Sequence, residues 1–182
     1  TEAMPGVESV SVGVWTDAGS SDECRDEFGQ AHFLEHLLFK GTETRSALAL
    51  AEEIEDVGGQ LNAFTERDVT NINARLLAEH LPVAIELMAD MLCHSTFEQA
   101  EMDRERQVII EEIRRYEALP DERIHDLIME ALWHGGRLGH PILGSEESIG
   151  RATRAQILAC WQRHFPAERV MITAAGKLEH DR

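Results

Sequence analysis

Hydrophobic and polar residues alternate along parts of the chain, and this two-residue period is typical of half-buried β-strands. In residues 7–15, Val10, Val12 and Val14 alternate with small or polar residues. Residues 60–65 and 69–77 read as two more strands around a polar turn, and residues 169–175 form another such segment. The pattern predicts four strands, the last of them near the end of the chain.

Apolar residues recur every three to four positions through most of the remaining chain, as they do on amphipathic helices. This period predicts six helices, at residues 30–40, 46–57, 81–93, 97–119, 121–133 and 153–164. Gly41 ends the first helix and Gly58 the second, and a glycine-rich loop at 134–144 follows the fifth. Strands near both ends with helices between them predict one α+β domain, in which helices pack on one face of a mixed or antiparallel sheet.

Composition narrows the class of protein. The chain has 182 residues, of which 43% are hydrophobic and 28% charged, a mix typical of a globular domain. No apolar run reaches the ~18 residues that a membrane helix needs. The chain carries 34 acidic and 17 basic residues, a formal net charge of −17. Such a surface repels phosphate groups, so we expect no nucleic-acid or membrane partner and a basic partner or a cation instead.

Three scattered cysteines, Cys24, Cys93 and Cys160, form no CxxC pair. An odd, scattered count does not predict a disulfide framework and favours a reducing compartment. We therefore expect a bacterial cytoplasmic location, with the mitochondrial matrix as the alternative. The chain opens at Thr1 without a methionine and closes just after an apolar strand, which predicts that residues 1–182 are one domain of a longer polypeptide.

The segment AHFLEHLLFKG carries candidate chemistry. His32 and His36 are four residues apart, so a helix places both on one face, and Glu35 shares that face. Two histidines at this spacing are a common bidentate grip on zinc, and a carboxylate between them can accept a proton from water activated by the metal. Chance alone produces the motif in roughly 6% of chains of this composition. Apolar neighbours predict a buried helix, where three ionisable groups without a common partner would be costly, and this favours a metal.

A catalytic zinc site needs a third protein ligand. The predicted helix at 97–119 offers Glu105 and Glu112, which are seven residues apart and fall on its apolar stripe, whereas Glu111 falls on its polar side. Buried carboxylates favour a cation partner, although an apolar stripe can also carry two glutamates at its edge. The other seven histidines show no comparable pairing, and we interpret them as structural or surface residues.

The sequence resembles the pitrilysin family of zinc peptidases, which includes insulin-degrading enzyme and the mitochondrial processing peptidase. HFLEH at 32–36 is the inverted H-x-x-E-H motif. The resemblance extends to HFLEHLLFKGT at 32–42, GGQLNAFTERDVT at 58–70 and RERQVIIEEI at 104–113, and so covers essentially the whole chain. The pattern is most similar to the bacterial processing-protease branch.

The resemblance implies a role for each matched residue. His32, His36 and Glu112 would bind one zinc ion, Glu35 would be the general base, and Glu105 would support the site. Asn62 and Ala63, followed by Phe64, match an edge strand whose backbone pairs with an extended peptide substrate. Family members contain two or four homologous domains, so the resemblance also implies a second domain or subunit beyond this N-terminal, zinc-binding one.

The resulting prediction is a zinc endopeptidase that cleaves peptides or presequences, basic ones among them, by means of a metal-activated water. A non-catalytic partner subunit of the same family is the alternative. A purely structural zinc domain is disfavoured, because such sites are usually rich in thiolates and no cysteine adjoins the motif. A helical interaction module without a metal is a further alternative.

Overall fold

A computed structural model describes residues 1–180 of the chain. These residues contain five strands, in the order β1, β5, β2, β4, β3 across one sheet. The strands are β1 Glu2–Ala3, β2 Ser9–Thr16, β3 Gln60–Thr65, β4 Thr70–Leu77 and β5 Val170–Gly176. The short β1 pairs in parallel with β5 and every other pairing is antiparallel, so the sheet is mixed, as predicted.

Seven α-helices accompany this sheet in residues 1–180. They are α1 Gln30–Leu38, α2 Ala47–Asp56, α3 Leu81–His94, α4 Gln99–Glu117, α5 Pro120–Leu132, α6 Glu146–Arg151 and α7 Arg154–His164. Six of them correspond to predicted helices with shifted ends, and α6 and β1 were not predicted. The α+β class is confirmed. The predicted domain of residues 1–182 includes residues 181 and 182, which lie outside the described part.

The core lies between the helices and one face of the sheet. Val10, Val12 and Val14 of β2 are almost fully buried there, together with Phe33 of α1 and Ile109 of α4. The alternation of β2 therefore predicts its buried face correctly, because a strand presents successive side chains to opposite faces. The other face bears an open groove of about 530 Å³, whose lining includes Ser11, Gly13, Trp15, Asn71, Asn73 and Thr173.

Helix α5 turns its apolar side away from the domain. Ile124, Leu127, Ile128 and Leu132 are spaced along one side of the helix, and each is between 46% and 64% exposed. On its inner side, Asp126 lies 3.7 Å from Arg67 in the turn between β3 and β4. None of the helices in residues 1–180 is long and apolar enough to span a lipid bilayer.

This arrangement predicts that substituting a buried isoleucine lowers the free energy of unfolding more than substituting an exposed one. We expect Ile109→Ala to lower the free energy of unfolding by about 2–5 kcal/mol, because Ile109 is fully buried and its truncation leaves a cavity. Ile128→Ser should change the same quantity by less than about 0.5 kcal/mol, since Ile128 is exposed. Urea unfolding followed by circular dichroism measures both. A large loss in Ile128→Ser would show that this side of α5 is covered in solution.

Candidate metal centre

Helix α1 carries the HFLEH motif, and its start is fixed by two features. Gly29 has a φ of +88°, and a Cβ there would lie 2.5 Å from the Leu143 carbonyl oxygen, so the chain needs glycine at this position. The buried Glu23 carboxylate accepts hydrogen bonds from the backbone N–H groups of Gly29 (2.8 Å) and Ala31 (2.6 Å). A carboxylate at a helix N-terminus compensates the unpaired N–H groups and the helix dipole.

Three side chains from two helices converge beside α1. The Nε2 atoms of His32 and His36 lie 3.9 Å and 3.6 Å from Oε2 of Glu112, which comes from α4. One donor atom from each of the three residues lies within 4.8 Å of the others. No second group of this kind occurs among residues 1–180. The helical spacing thus places the histidines on one face, and the packing of α4 on α1 adds the carboxylate.

The geometry and chemistry of these donors fit a zinc ion. Zinc–nitrogen and zinc–oxygen bonds of about 2.0–2.1 Å place tetrahedral ligand atoms roughly 3.3 Å apart, slightly closer than the distances found here. Burial, reinforced by the charge of His36, lowers the pKa of His32 to about 4. His32 is therefore neutral at pH 7, which is the form that binds metals.

Glu35 lies on the same side of α1 and is held by the edge strand. The Thr65 hydroxyl, at the end of β3, donates a 2.6 Å hydrogen bond to Oε2 of Glu35. Burial raises the pKa of Glu35, and the negative charge of Glu112 adds to the effect, while the Thr65 hydrogen bond and His36 oppose it. A raised pKa makes a carboxylate a stronger base, which suits it to accept and return a proton.

Glu105 contacts the metal centre through His36. Its Oε2 atom lies 3.1 Å from Nδ1 of His36, and its Oε1 atom lies 2.8 Å from Nζ of Lys40. Its side chain is only 8% exposed. Glu105 thus contacts His36 and is not among the three converging donors, and the supporting role that the resemblance implies for it stays a prediction. By contrast, the His32 Nδ1 atom is buried without a hydrogen-bond partner.

The predicted substrate residues lie on β3, at the edge of the sheet. Asn62 is exposed, whereas Ala63 and Phe64 are half-buried. Phe64 packs edge-on against Trp15 on the groove face, with 5.7 Å between ring centroids. Beside β3, a pocket of about 420 Å³ has a mixed lining. Its apolar residues include Phe39, Ala47, Leu50, Ile54 and Leu61, and its polar ones are Glu55, Gln60 and Asn62.

Sequence reasoning found the converging residues and missed several that hold them. Thr65 and Lys40 were not singled out, although both stand inside the quoted motifs. Glu23 was also missed. Its position shortly before a predicted helix could have indicated that this acidic residue binds the N–H groups at the helix N-terminus. The remaining histidines include His140, which is buried and bonds the Ser20 carbonyl oxygen, in line with a structural role.

Comparison with known proteins identifies the family. Residues 1–146 match the sequence profile of the insulinase family, Peptidase family M16. The chain belongs to this family. It is 41% identical over 177 residues to an uncharacterized zinc protease, YmxG, of Bacillus subtilis, a match that covers 97% of this chain and 43% of that protein. The predicted kinship with pitrilysin and the mitochondrial processing peptidase is confirmed.

Two further M16 relatives extend the comparison. The chain is 40% identical over 181 residues to the probable mitochondrial-processing peptidase subunit beta of Arabidopsis thaliana, covering 100% of this chain and 34% of that protein. The crystal structure of a peptidase M16 inactive domain from Pseudomonas fluorescens superposes with a TM-score of 0.91 at 20% identity. That match covers 98% of this chain and 44% of the other and shows the shared fold. The chain spans less than half the length of these relatives.

Proposed function

We propose that this M16 domain binds one zinc ion and carries the catalytic residues of an endopeptidase. The observation that supports the proposal is the convergence of His32, His36 and Glu112. Glu35 lies close enough that the charges of His36 and Glu112 shift its pKa. Relatives named zinc proteases support zinc and proteolysis for the family. The assignment of these particular roles to this chain is our inference.

The chain's own residues define the proton transfers of the proposed reaction. A bound zinc ion would polarise the scissile carbonyl group and make water more acidic. The Glu35 carboxylate accepts the proton of the attacking water and then donates it to the nitrogen of the leaving amine. The Thr65 hydroxyl, which donates to Oε2 of Glu35, holds the carboxylate in place for these transfers. His32, His36 and Glu112 would hold the metal in position.

An extended peptide can bind along β3. This strand is at the sheet edge, and an edge strand offers unpaired backbone groups for strand addition. Pairing with Asn62 and Ala63, near Phe64, would bring the peptide past Thr65 and therefore to Glu35. Because side chains of a strand alternate, those on the helix side would reach the pocket of mixed polarity that Phe39 and other residues line.

The remaining proposals concern the whole protein. The net charge of −17 favours basic peptides as substrates. Because the chain spans 43% of YmxG, we propose that a second homologous domain or subunit completes the substrate site. A cytoplasmic location stays a prediction, which rests on the free cysteines.

The metal content of the purified chain tests the proposal. We expect one zinc ion per chain by mass spectrometry at neutral pH, because the three donors already converge. His36→Ala should abolish stoichiometric zinc, since it removes one of the three ligands. A cleavage assay is less direct, because the activity could require the second domain.

His134→Ala is the matched control, because His134 is exposed and is not part of the converging group. It should retain the metal of the unmodified chain. Absence of zinc after reconstitution would contradict the proposal and favour a metal-free interaction module. Zinc binding without peptidase activity in the complete protein would favour the non-catalytic alternative.

A further inference from the structure

Among the ion pairs of residues 1–180, Lys40 is the only lysine or arginine that contacts Glu105, the buried carboxylate behind the candidate metal centre. Its Nζ atom lies 2.8 Å from Oε1 of Glu105, whose other oxygen, Oε2, lies 3.1 Å from Nδ1 of His36. The three side chains form a continuous path from the turn after α1, through α4, back to α1. We propose that Lys40 is a positioning residue for zinc, acting through Glu105 on His36. This inference rests on the proposed function.

The path fixes the direction in which His36 presents its metal-binding nitrogen. A glutamate side chain has several rotatable bonds, and Lys40 anchors one oxygen so that the other faces Nδ1 of His36. An imidazole that donates its Nδ1–H to this oxygen leaves Nε2 free, and Nε2 is the atom 3.6 Å from Glu112. Partners behind metal-binding histidines orient the ring and select its tautomer.

His32 makes this path more important. Its Nδ1 atom is buried and has no hydrogen-bond partner, so packing alone orients its ring. Of the two candidate zinc-binding histidines, only His36 has its ring oriented by a hydrogen bond in the part of the chain that the structure describes, and Glu105 is the partner. A substitution of Lys40 should therefore affect zinc binding only through Glu105 and His36. This makes its effect on zinc affinity distinguishable from a general loss of structure.

The location of Lys40 also suits a cation. Helix α1 ends at Leu38, and the Lys40 backbone N–H donates to the Leu37 carbonyl oxygen in the closing turn. Positive charge is favourable at a helix C-terminus, where carbonyl groups are unpaired. The ammonium group also compensates the Glu105 carboxylate, which is only 8% exposed and would be costly to bury without a counter-charge.

Zinc affinity measured by competition with a chelator tests this inference without an activity assay. Loss of a partner behind a metal ligand typically weakens binding 10–100-fold, and we expect a loss of about this size for Lys40→Gln. Lys40→Arg should recover most of the affinity, because it keeps a cation near Glu105. Lys177→Met is the control, since Lys177, the only other lysine in the chain, pairs with Glu8 on the surface.

A double-mutant cycle separates this role from a general loss of structure. In a Glu105→Gln background, Lys40→Gln should weaken zinc binding little further, because the path is already broken. Equal losses in both backgrounds, or affinity in Lys40→Gln equal to that of the unmodified chain, would overturn the inference. Lys40→Met, which keeps the apolar stem, replaces Lys40→Gln if the latter does not fold. If the unmodified chain binds no zinc, the proposed function itself fails.

Discussion

Glu35→Gln is expected to remove peptide hydrolysis while the domain keeps its zinc. Glutamine has nearly the shape of glutamate and can still accept the Thr65 hydrogen bond, but its amide cannot take a proton from water at neutral pH. A positioned general base typically contributes 10²–10⁴-fold to the rate. We therefore expect kcat to fall by about that factor. The measurement uses the form of the protein that cleaves peptides, which is either this chain alone or the chain together with a second domain.

Zinc content, measured on the same sample, makes the result specific. Glu35→Gln should hold as much zinc as the unmodified chain, because Glu35 is not among the three converging donors. Glu52→Gln, on the exposed side of α2, is the control and should leave both kcat and zinc unchanged. Unaltered kcat in Glu35→Gln would assign the proton transfers to another group.

The parts of this site that follow from local periodicity could be predicted from the sequence. The seven-residue spacing on α4 places Glu105 on the buried stripe with Met102 and Ile109, and leaves Glu111 exposed. The four-residue spacing of His32 and His36 places them on one face of α1 in the same way. A helix repeats every 3.6 residues, so these relations hold wherever the helix packs.

The contacts that hold the site depend instead on long-range packing. Thr65 is 30 residues from Glu35, and Glu105 is 69 residues from His36. No local pattern states which residue of β3 or α4 will face α1, because docking of whole elements decides it. Thr65 therefore looked like an ordinary strand residue, and Lys40 like a charge at a helix end.

Tertiary contacts also moved the start of one helix. The apolar pattern predicts helix from Phe97, but α4 begins at Gln99. Phe97 has a φ of +47°, its side chain is buried in the core, and its carbonyl oxygen accepts a hydrogen bond from Arg154. Core packing thus outweighs the local preference. The missed α6 has only six residues, which is too few for a period to show.

The candidate site contains carboxylate groups that repel one another when no metal is bound. Burial raises the pKa of Glu35, and the negative charge of Glu112 adds to this effect. Carboxylates gathered in this way reduce stability until a cation joins them, so the metal should contribute to the stability of the domain as well as to its chemistry.

This balance predicts that Glu112→Gln has opposite effects on the stability of the domain with and without zinc. At a free zinc concentration 100 times the dissociation constant, binding should stabilise the unmodified chain by about 2.7 kcal/mol, a rise in melting temperature of roughly 5–10 °C for a chain of this size. Glu112→Gln should lose this gain, because an amide is a neutral and weaker ligand. In the presence of a chelator, the variant should be as stable as the unmodified chain or more so, since one opposing charge is gone.

Glu111→Gln is the neighbouring control for this experiment. Glu111 is exposed and pairs with Arg114 one turn along α4, so its loss should cost little and leave the zinc-dependent gain intact. Calorimetric melting of the unmodified chain and both variants, with zinc and with chelator, gives the six values required. A Glu112→Gln variant that retained the full zinc-dependent gain would exclude Glu112 as the third ligand. The metal would then need a different donor on α4, and the role given to Glu105 would need to be reconsidered.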